Sequence, residues 1–91
     1  MRHWNVDVIV MPKDGVSDPQ GEAVRGGLIS LGHSGVQRVR VGRHITVTVR
    51  AESEDMAFQQ VNAMAEQLLA NPVIEQFEIA SAVELHAPEV G

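Results

Sequence analysis

The run Leu68-Leu69-Ala70-Asn71-Pro72-Val73-Ile74-Glu75 stops a helix and starts a strand within three residues. Leu68 closes an apolar stripe that begins at Ala57 and continues through Val61 and Met64 at helical spacing. Asn71 tolerates the left-handed backbone that often ends helices, and Pro72 cannot continue one. Val73 and Ile74 then open an extended run predicted to reach Ile79. Phe77 and Ile79 share one face of it, and Val83 and Leu85 prolong it. Upstream, the helix is expected to open at Glu52 or Ser53. Glu54 and Asp55 fall in its first turn, where the helix dipole favours acids. Met56 and Met64 read as gap-filling core.

Working outward, Trp4, Val6, Val8 and Val10 alternate with Asn5 and Asp7, which predicts a strand over residues 3–11 buried mainly on one face. Pro12-Lys13-Asp14-Gly15 ends it with turn residues. Asp18 is placed to cap a helix with Pro19 at its first position, and Gly32 to stop it after Leu31. Val24, Leu28 and Leu31 lie on one face, but Gly21, Gly26 and Gly27 weaken the helix by about 0.5–1 kcal/mol each. Such a helix needs docking to persist. The glycines either permit close backbone approach or are simply weak positions.

Residues 36–41 and 45–49 read as two strands around Gly42-Arg43-His44. A connection of odd length sets Val41 opposite Ile45 and Val39 opposite Val47, which keeps the apolar side chains on one side of a sheet. The other side then carries Arg38, Arg40, Thr46, Thr48 and Arg50, either as a solvated face or as a docking surface for something acidic. The order is β-α-β-β-α-β, an α+β class with an antiparallel sheet and two helices on one face, ferredoxin-like or a close relative. Residues 1–85 form the expected single domain, and 86–91 a flexible C-terminal tail. Large apolar residues are few, so a second copy is expected to cover the open sheet face.

The charge is uneven. Residues 1–50 hold all seven basic side chains and four acids, a net +3; residues 51–91 hold eight acids and no Lys or Arg, a net −8. A chain polarised in this way suits pairing with a copy of itself or with another protein. An acidic chain with three aromatics lacks the basic surface and stacking platforms that nucleic acid requires. No signal peptide is read at the start, and no apolar run approaches the roughly 20 residues of a membrane span. The expected location is cytoplasmic. There is no cysteine, hence no thiolate nucleophile and no disulfide. His3, His33, His44 and His86 stand in no metal-ligand spacing. Neither a phosphate loop nor a dinucleotide fingerprint occurs, and no carboxylate spacing singles out an acid/base pair. On residue chemistry alone the chain is a small α+β module without its own active site.

Three motifs standing in order add to this: Asp18-Pro19-Gln20-Gly21 followed by Ala23-Val24 and Leu28, then Val39-Arg40-Val41-Gly42, then the opening run to Glu75. With them the chain, over about residues 3 to 85, closely resembles the PurS family, the small subunit of phosphoribosylformylglycinamidine (FGAM) synthase. The resemblance implies a non-catalytic part in purine biosynthesis, as a homodimer or tetramer. Its partners would be a glutaminase subunit that releases ammonia and a large synthetase subunit that uses ATP and Mg to make the amidine. The small subunit would bridge the two and assist ammonia transfer. By the same resemblance Asp18, Gln20, Arg40, Gly42, Asn71, Pro72 and Glu75 are the motif and interface positions. None of them is expected to be catalytic, and no cofactor or metal is expected on this chain alone. Two rivals share the topology: an ACT-like small-molecule regulatory module and an autonomous acylphosphatase-like enzyme.

Overall fold

The computed structural model describes residues 2–86. Its centre is strand β1 (Arg2–Pro12), flanked antiparallel by β2 (Arg43–Ala51) and β3 (Glu75–Leu85) in the order β2-β1-β3. The alternation of β1 does what period two dictates. Trp4, Val6, Val8 and Val10 are buried, and the intervening residues lie half-open on the other face. Opposite them β2 presents Ile45, Val47 and Val49. β3 presents Phe77, Ile79 and Ala82 across a bulge at Asp7/Val8 that resets its parity.

Helix α2 (Glu54–Met64) packs against all three strands. Ser53 caps it by accepting from the Met56 amide at 3.2 Å, and Ala57 and Val61 face the sheet. The helix then widens into one π turn, Ala65–Leu69, closed by the Ala70 amide donating to the Ala65 carbonyl at 3.1 Å. The stripe already runs Ala57, Val61, Ala65 at four-residue spacing, which leaves Met64 off it, and the extra residue then carries it from Ala65 to Ala70. Ala65 and Ala70 are buried, whereas Met64 is partly exposed and Leu68 is 83% exposed. The expected stripe through Met64 and Leu68 is therefore corrected to one through Ala65.

The chain has the expected α+β fold with an antiparallel sheet and two helices, and two details of the expected β-α-β-β-α-β order differ. First, residues 36–41 carry no ladder, turn or bend, so the sheet holds three strands. Second, α1 (Pro19–Ser30) does not join α2 on the sheet face. Instead, 36–41 runs back along α1. The Arg25 Nε donates to the Gln37 carbonyl at 3.1 Å, and the Val41 amide donates to Asp18 Oδ2 at 2.9 Å. This helix-and-segment hairpin stands off the sheet, and within residues 19–41 only Gly21 is buried. The described residues extend 52 × 27 × 19 Å with a radius of gyration of 16.9 Å. A compact chain of this length would have about 12 Å.

The ends of α1 follow their local residues. Asp18 accepts from the Gly21 amide at 2.9 Å. At the other end the Gly32 amide donates to the Ile29 carbonyl and the His33 amide to the Leu28 carbonyl, both at 3.0 Å, with Gly32 at φ +102°. That is a Schellman stop, which a left-handed glycine permits. The open sheet face is polar. Thr48 Oγ1 donates to Asn5 Oδ1 at 2.6 Å, while Thr46 Oγ1 and Ser81 Oγ donate to the two oxygens of Asp7 at 2.7 and 2.9 Å. Arg38 and Arg40 do not extend this stripe; both turn to Asp14. Of the tail at 86–91, residues 87–91 lie outside the described residues.

Candidate functional site

All seven motif positions meet at one end of the sheet, where β1 ends and β2 and β3 begin. The long-range links come from side chains that bond to backbone across the junction. Asp18 is the first. Its Oδ1 caps α1 while its Oδ2 takes the Val41 amide, so one carboxylate ties the helix start to the run before β2. These two backbone donors, the Gly21 amide first, hold its pKa below the ordinary carboxylate range. Arg40 is the second. Its Nη1 reaches Asp14 Oδ1 at 2.8 Å, and its Nη2 donates to the carbonyls of Pro12 and, at 3.0 Å, Lys13. One planar fork thus straps the end of β1 to residue 40. Asp14, paired first with Arg40 and then with Arg38, is likewise held below its ordinary range.

Glu75 is the third. Its Oε2 accepts from Arg43 Nη1 at 2.8 Å, and its Oε1 accepts from Arg43 Nη2 at 3.1 Å and from the Asn71 amide at 2.8 Å. The Glu75 amide in turn donates to the Asn71 carbonyl at 2.7 Å. Asn71 therefore acts through an Asx turn, its Oδ1 accepting from the Val73 amide at 3.1 Å, and not through left-handed backbone. No non-glycine residue among those described has positive φ. The turn absorbs Val73 and Ile74, so the strand begins at Glu75. Pro72 contributes its carbonyl to Lys13 Nζ at 2.6 Å, and the Lys13 amide donates to the Ile74 carbonyl at 2.9 Å. Gly42 lies so close to the Val10 carbonyl that a side chain there would overlap it.

Asp18, Gln20, Gly42, Arg43 and Glu75 line a cleft of about 410 Å³ between these elements. Gln20 is exposed on its wall; Arg40, Asn71 and Pro72 do not line it. Sequence reasoning missed Asp14 and Arg43, which supply the opposite charges, and Lys13, which bonds the Pro72 carbonyl. Their only signal was position: each sits beside a turn or motif residue. Chemically the carboxylates of the junction are all bonded, while Arg40 Nε is buried there without a hydrogen-bond partner among the described residues. The three carboxylates are ionised, bonded and below their ordinary range, so none is a general acid. Among the described residues no group of His, Asp or Glu is placed to hold a metal ion. What remains is a rigid, charged corner.

Two expected results test the junction. Asp18→Ala removes the cap and the Val41 tie together. It lowers the thermal midpoint by roughly 5 °C, whereas Asp18→Asn, which also caps helices well, lowers it by less; calorimetry of the three chains checks this. The second concerns pH. The carboxylates of Asp7, Asp14, Asp18, Glu75 and Glu84 all have folded pKa values shifted downward. Their contribution is complete above the ordinary values of 3.8 for Asp and 4.5 for Glu and is lost as pH falls through and below them. The thermal midpoint is therefore flat above about pH 5 and falls steeply below about pH 4. A midpoint unchanged down to about pH 3 would contradict it.

The class the fold and the site define is a small α+β chain whose corner is held by ion pairs and by side chains bonded to backbone. The comparisons give the family. The model of the family described as PurS, phosphoribosylformylglycinamidine (FGAM) synthase, matches residues 5–82, and the chain belongs to the PurS family. The Synechocystis sp. phosphoribosylformylglycinamidine synthase subunit PurS is 45% identical over 75 residues, covering 82% of this chain and 73% of that protein. The structure of Thermus thermophilus PurS superposes with a TM-score of 0.81 at 37% identity, covering 91% of this chain and 98% of that one. A chain of the Thermotoga maritima PurLQS structure superposes with a TM-score of 0.78 at 32% identity, covering 93% of this chain and all of that one.

Proposed function

We propose that this chain is the small, non-catalytic subunit of FGAM synthase. It bridges the glutaminase and the ATP-dependent synthetase and assists ammonia transfer between them. The observation that carries this is the end-to-end match to a chain of a PurLQS assembly. The junction, whose carboxylates are all bonded, supports it from the side of chemistry, since a bridging subunit needs shape and charge and no reactive group. ATP and Mg are assigned to the synthetase. The chain works in the cytoplasm as a homo-oligomer; no helix among the described residues is long and apolar enough to cross a membrane.

Reconstitution tests it. The chain is mixed with glutaminase and synthetase subunits, and amidine formation is followed with glutamine or with ammonia as nitrogen source. Glutamine-dependent turnover falls at least tenfold without this chain, and ammonia-dependent turnover persists without the glutaminase. Undiminished glutamine-dependent turnover in its absence would overturn the assignment.

A further inference from the structure

The outer edge of β3 has no partner strand among the described residues, because β1 occupies the inner one. Which of its groups face outward follows from one hydrogen bond. The Lys13 amide donates to the Ile74 carbonyl at 2.9 Å, one step beyond Pro12 opposite Glu75. Hydrogen-bonded and non-hydrogen-bonded pairs alternate along an antiparallel ladder. Pro12 with Glu75, Val10 with Phe77 and Val8 with Ile79 are therefore the non-hydrogen-bonded pairs. Gln76 and Glu78 bond inward to Met11 and Ile9, while Glu75, Phe77 and Ile79 turn their N–H and C=O groups outward. The Glu75 amide agrees, since it leaves the sheet for the Asn71 carbonyl at 2.7 Å. Beyond Ile79 the bulge interrupts the edge at Ala80. What remains is a short template from Phe77 to Ile79.

Two cavities of about 320 Å³ flank that template, one on either face of the sheet. Ile9, Met11, Gln76 and Glu78 line the one on the open face. Ala65, Ala70, Pro72 and Phe77 line the one under the π turn, where two alanines leave room beside the Phe77 ring. An added strand sends successive side chains to opposite faces, so here each of two neighbouring residues finds a cavity. Charge selects the occupant. β3 carries Glu75, Glu78 and Glu84 and no Lys or Arg, so pairing it with β3 of a second copy would bring like charges together. Arg43 pairs with Glu75 and Arg2 with Glu84. Glu78 at the open-face cavity and Glu66 at the other have no Lys or Arg partner among the described residues.

We propose that the β3 edge from Phe77 to Ile79 takes an added strand from a subunit that this chain bridges. The segment is extended and carries an apolar side chain opposite Phe77, which enters the cavity under the π turn. Its next residue is apolar too and fills the cavity at Ile9 and Met11. A Lys or Arg beside these two meets Glu78 or Glu66. Main-chain bonds to Phe77 and Ile79 hold the segment, and the cavities and acids select it. The inference rests on the bridging reading above.

Amide hydrogen exchange tests it on the complex of this chain with the glutaminase and the synthetase. Exchange is run on the complex and on this chain alone, then quenched, and single amides of the recovered, isotope-labelled chain are read by NMR. In the chain alone the Phe77 and Ile79 amides exchange quickly and those of Gln76 and Glu78 slowly. In the complex the Phe77 and Ile79 amides slow by about tenfold or more, and the alternation along the edge disappears. Co-elution of the three chains with both amides as fast as before would overturn the inference and leave the bridging reading standing. Failure of the chains to co-elute would overturn both. A second measurement reads the charge. Glu78→Arg weakens association about tenfold, whereas Glu52→Arg, the same change at the opposite end of the sheet, leaves it unchanged. Equal effects of the two substitutions would overturn the proposal.

Discussion

Trp4→Ala is expected to cost about 3–5 kcal/mol, the range for truncating a large aromatic in a core. Trp4 is 4% exposed at the edge of the cluster formed by Val6, Val49, Ala51 and Ala57. It does two jobs there. Its rings fill the space above the start of β1, and its Nε1 donates to the Ala51 carbonyl at 3.1 Å, closing the last pairs of β1 with β2. The Arg2 guanidinium lies 4.9 Å from the ring centroid on its outer side. The core has little to spare, because its fully buried large side chains are four valines: Val6, Val8, Val10 and Val61. A domain of this length has about 5–14 kcal/mol in total, so the loss takes a large share of it. Trp4→Phe keeps most of the apolar area and removes one hydrogen bond, for about 1 kcal/mol plus the volume lost. Urea unfolding followed by circular dichroism measures both, since the chain has no other Trp for fluorescence. Equal midpoints for Trp4→Ala and the parent chain would show that this end of the sheet is held elsewhere.

What could be read from the residues divides by range. Signals that act within about five residues were legible. The alternation of β1, the Asp18 cap, the Gly32 stop and the Ser53 opening all appear where local chemistry puts them. The expected strand at 36–41 did not form, because alternation favours an extended segment and does not supply it with a partner edge. The α2 stripe failed at Leu68 for a different reason. A single extra residue in a π turn moves every later side chain, and no periodicity in the sequence announces it. At the junction the motif positions were recognised as a set, but their roles were not. Arg40 fastens carbonyls at the end of β1 and Glu75 fastens Arg43, and each of these links joins residues whose closeness only the fold creates.

Gly42→Ala tests whether that junction is set by backbone approach or by its ion pairs, and it is expected to cost about 2–4 kcal/mol. Gly42 has ordinary backbone angles, so conformational strain is not the argument. The added carbon would overlap two atoms, the Met11 sulfur and the Val10 carbonyl oxygen. The thioether can swing aside at small cost. The carbonyl cannot, because β1 is paired on both edges and Val10 itself is fully buried. Residues 41–43 must therefore move outward. That movement draws the Val41 amide from Asp18 and Arg43 from Glu75, so the loss exceeds that of a simple contact. The contrast is Gly26→Ala on the exposed side of α1, where nothing lies within 4 Å of the added carbon. In a helix interior that change removes unfolded-chain freedom and gains about 0.5–1 kcal/mol. Two Gly→Ala changes in one chain thus have opposite signs, readable as a fall and a rise in the urea midpoint at unchanged slope. If Gly42→Ala proves as mild as Gly26→Ala, the ends of β1 and β2 are not in contact as described, and the strap made by Arg40 must carry the junction alone.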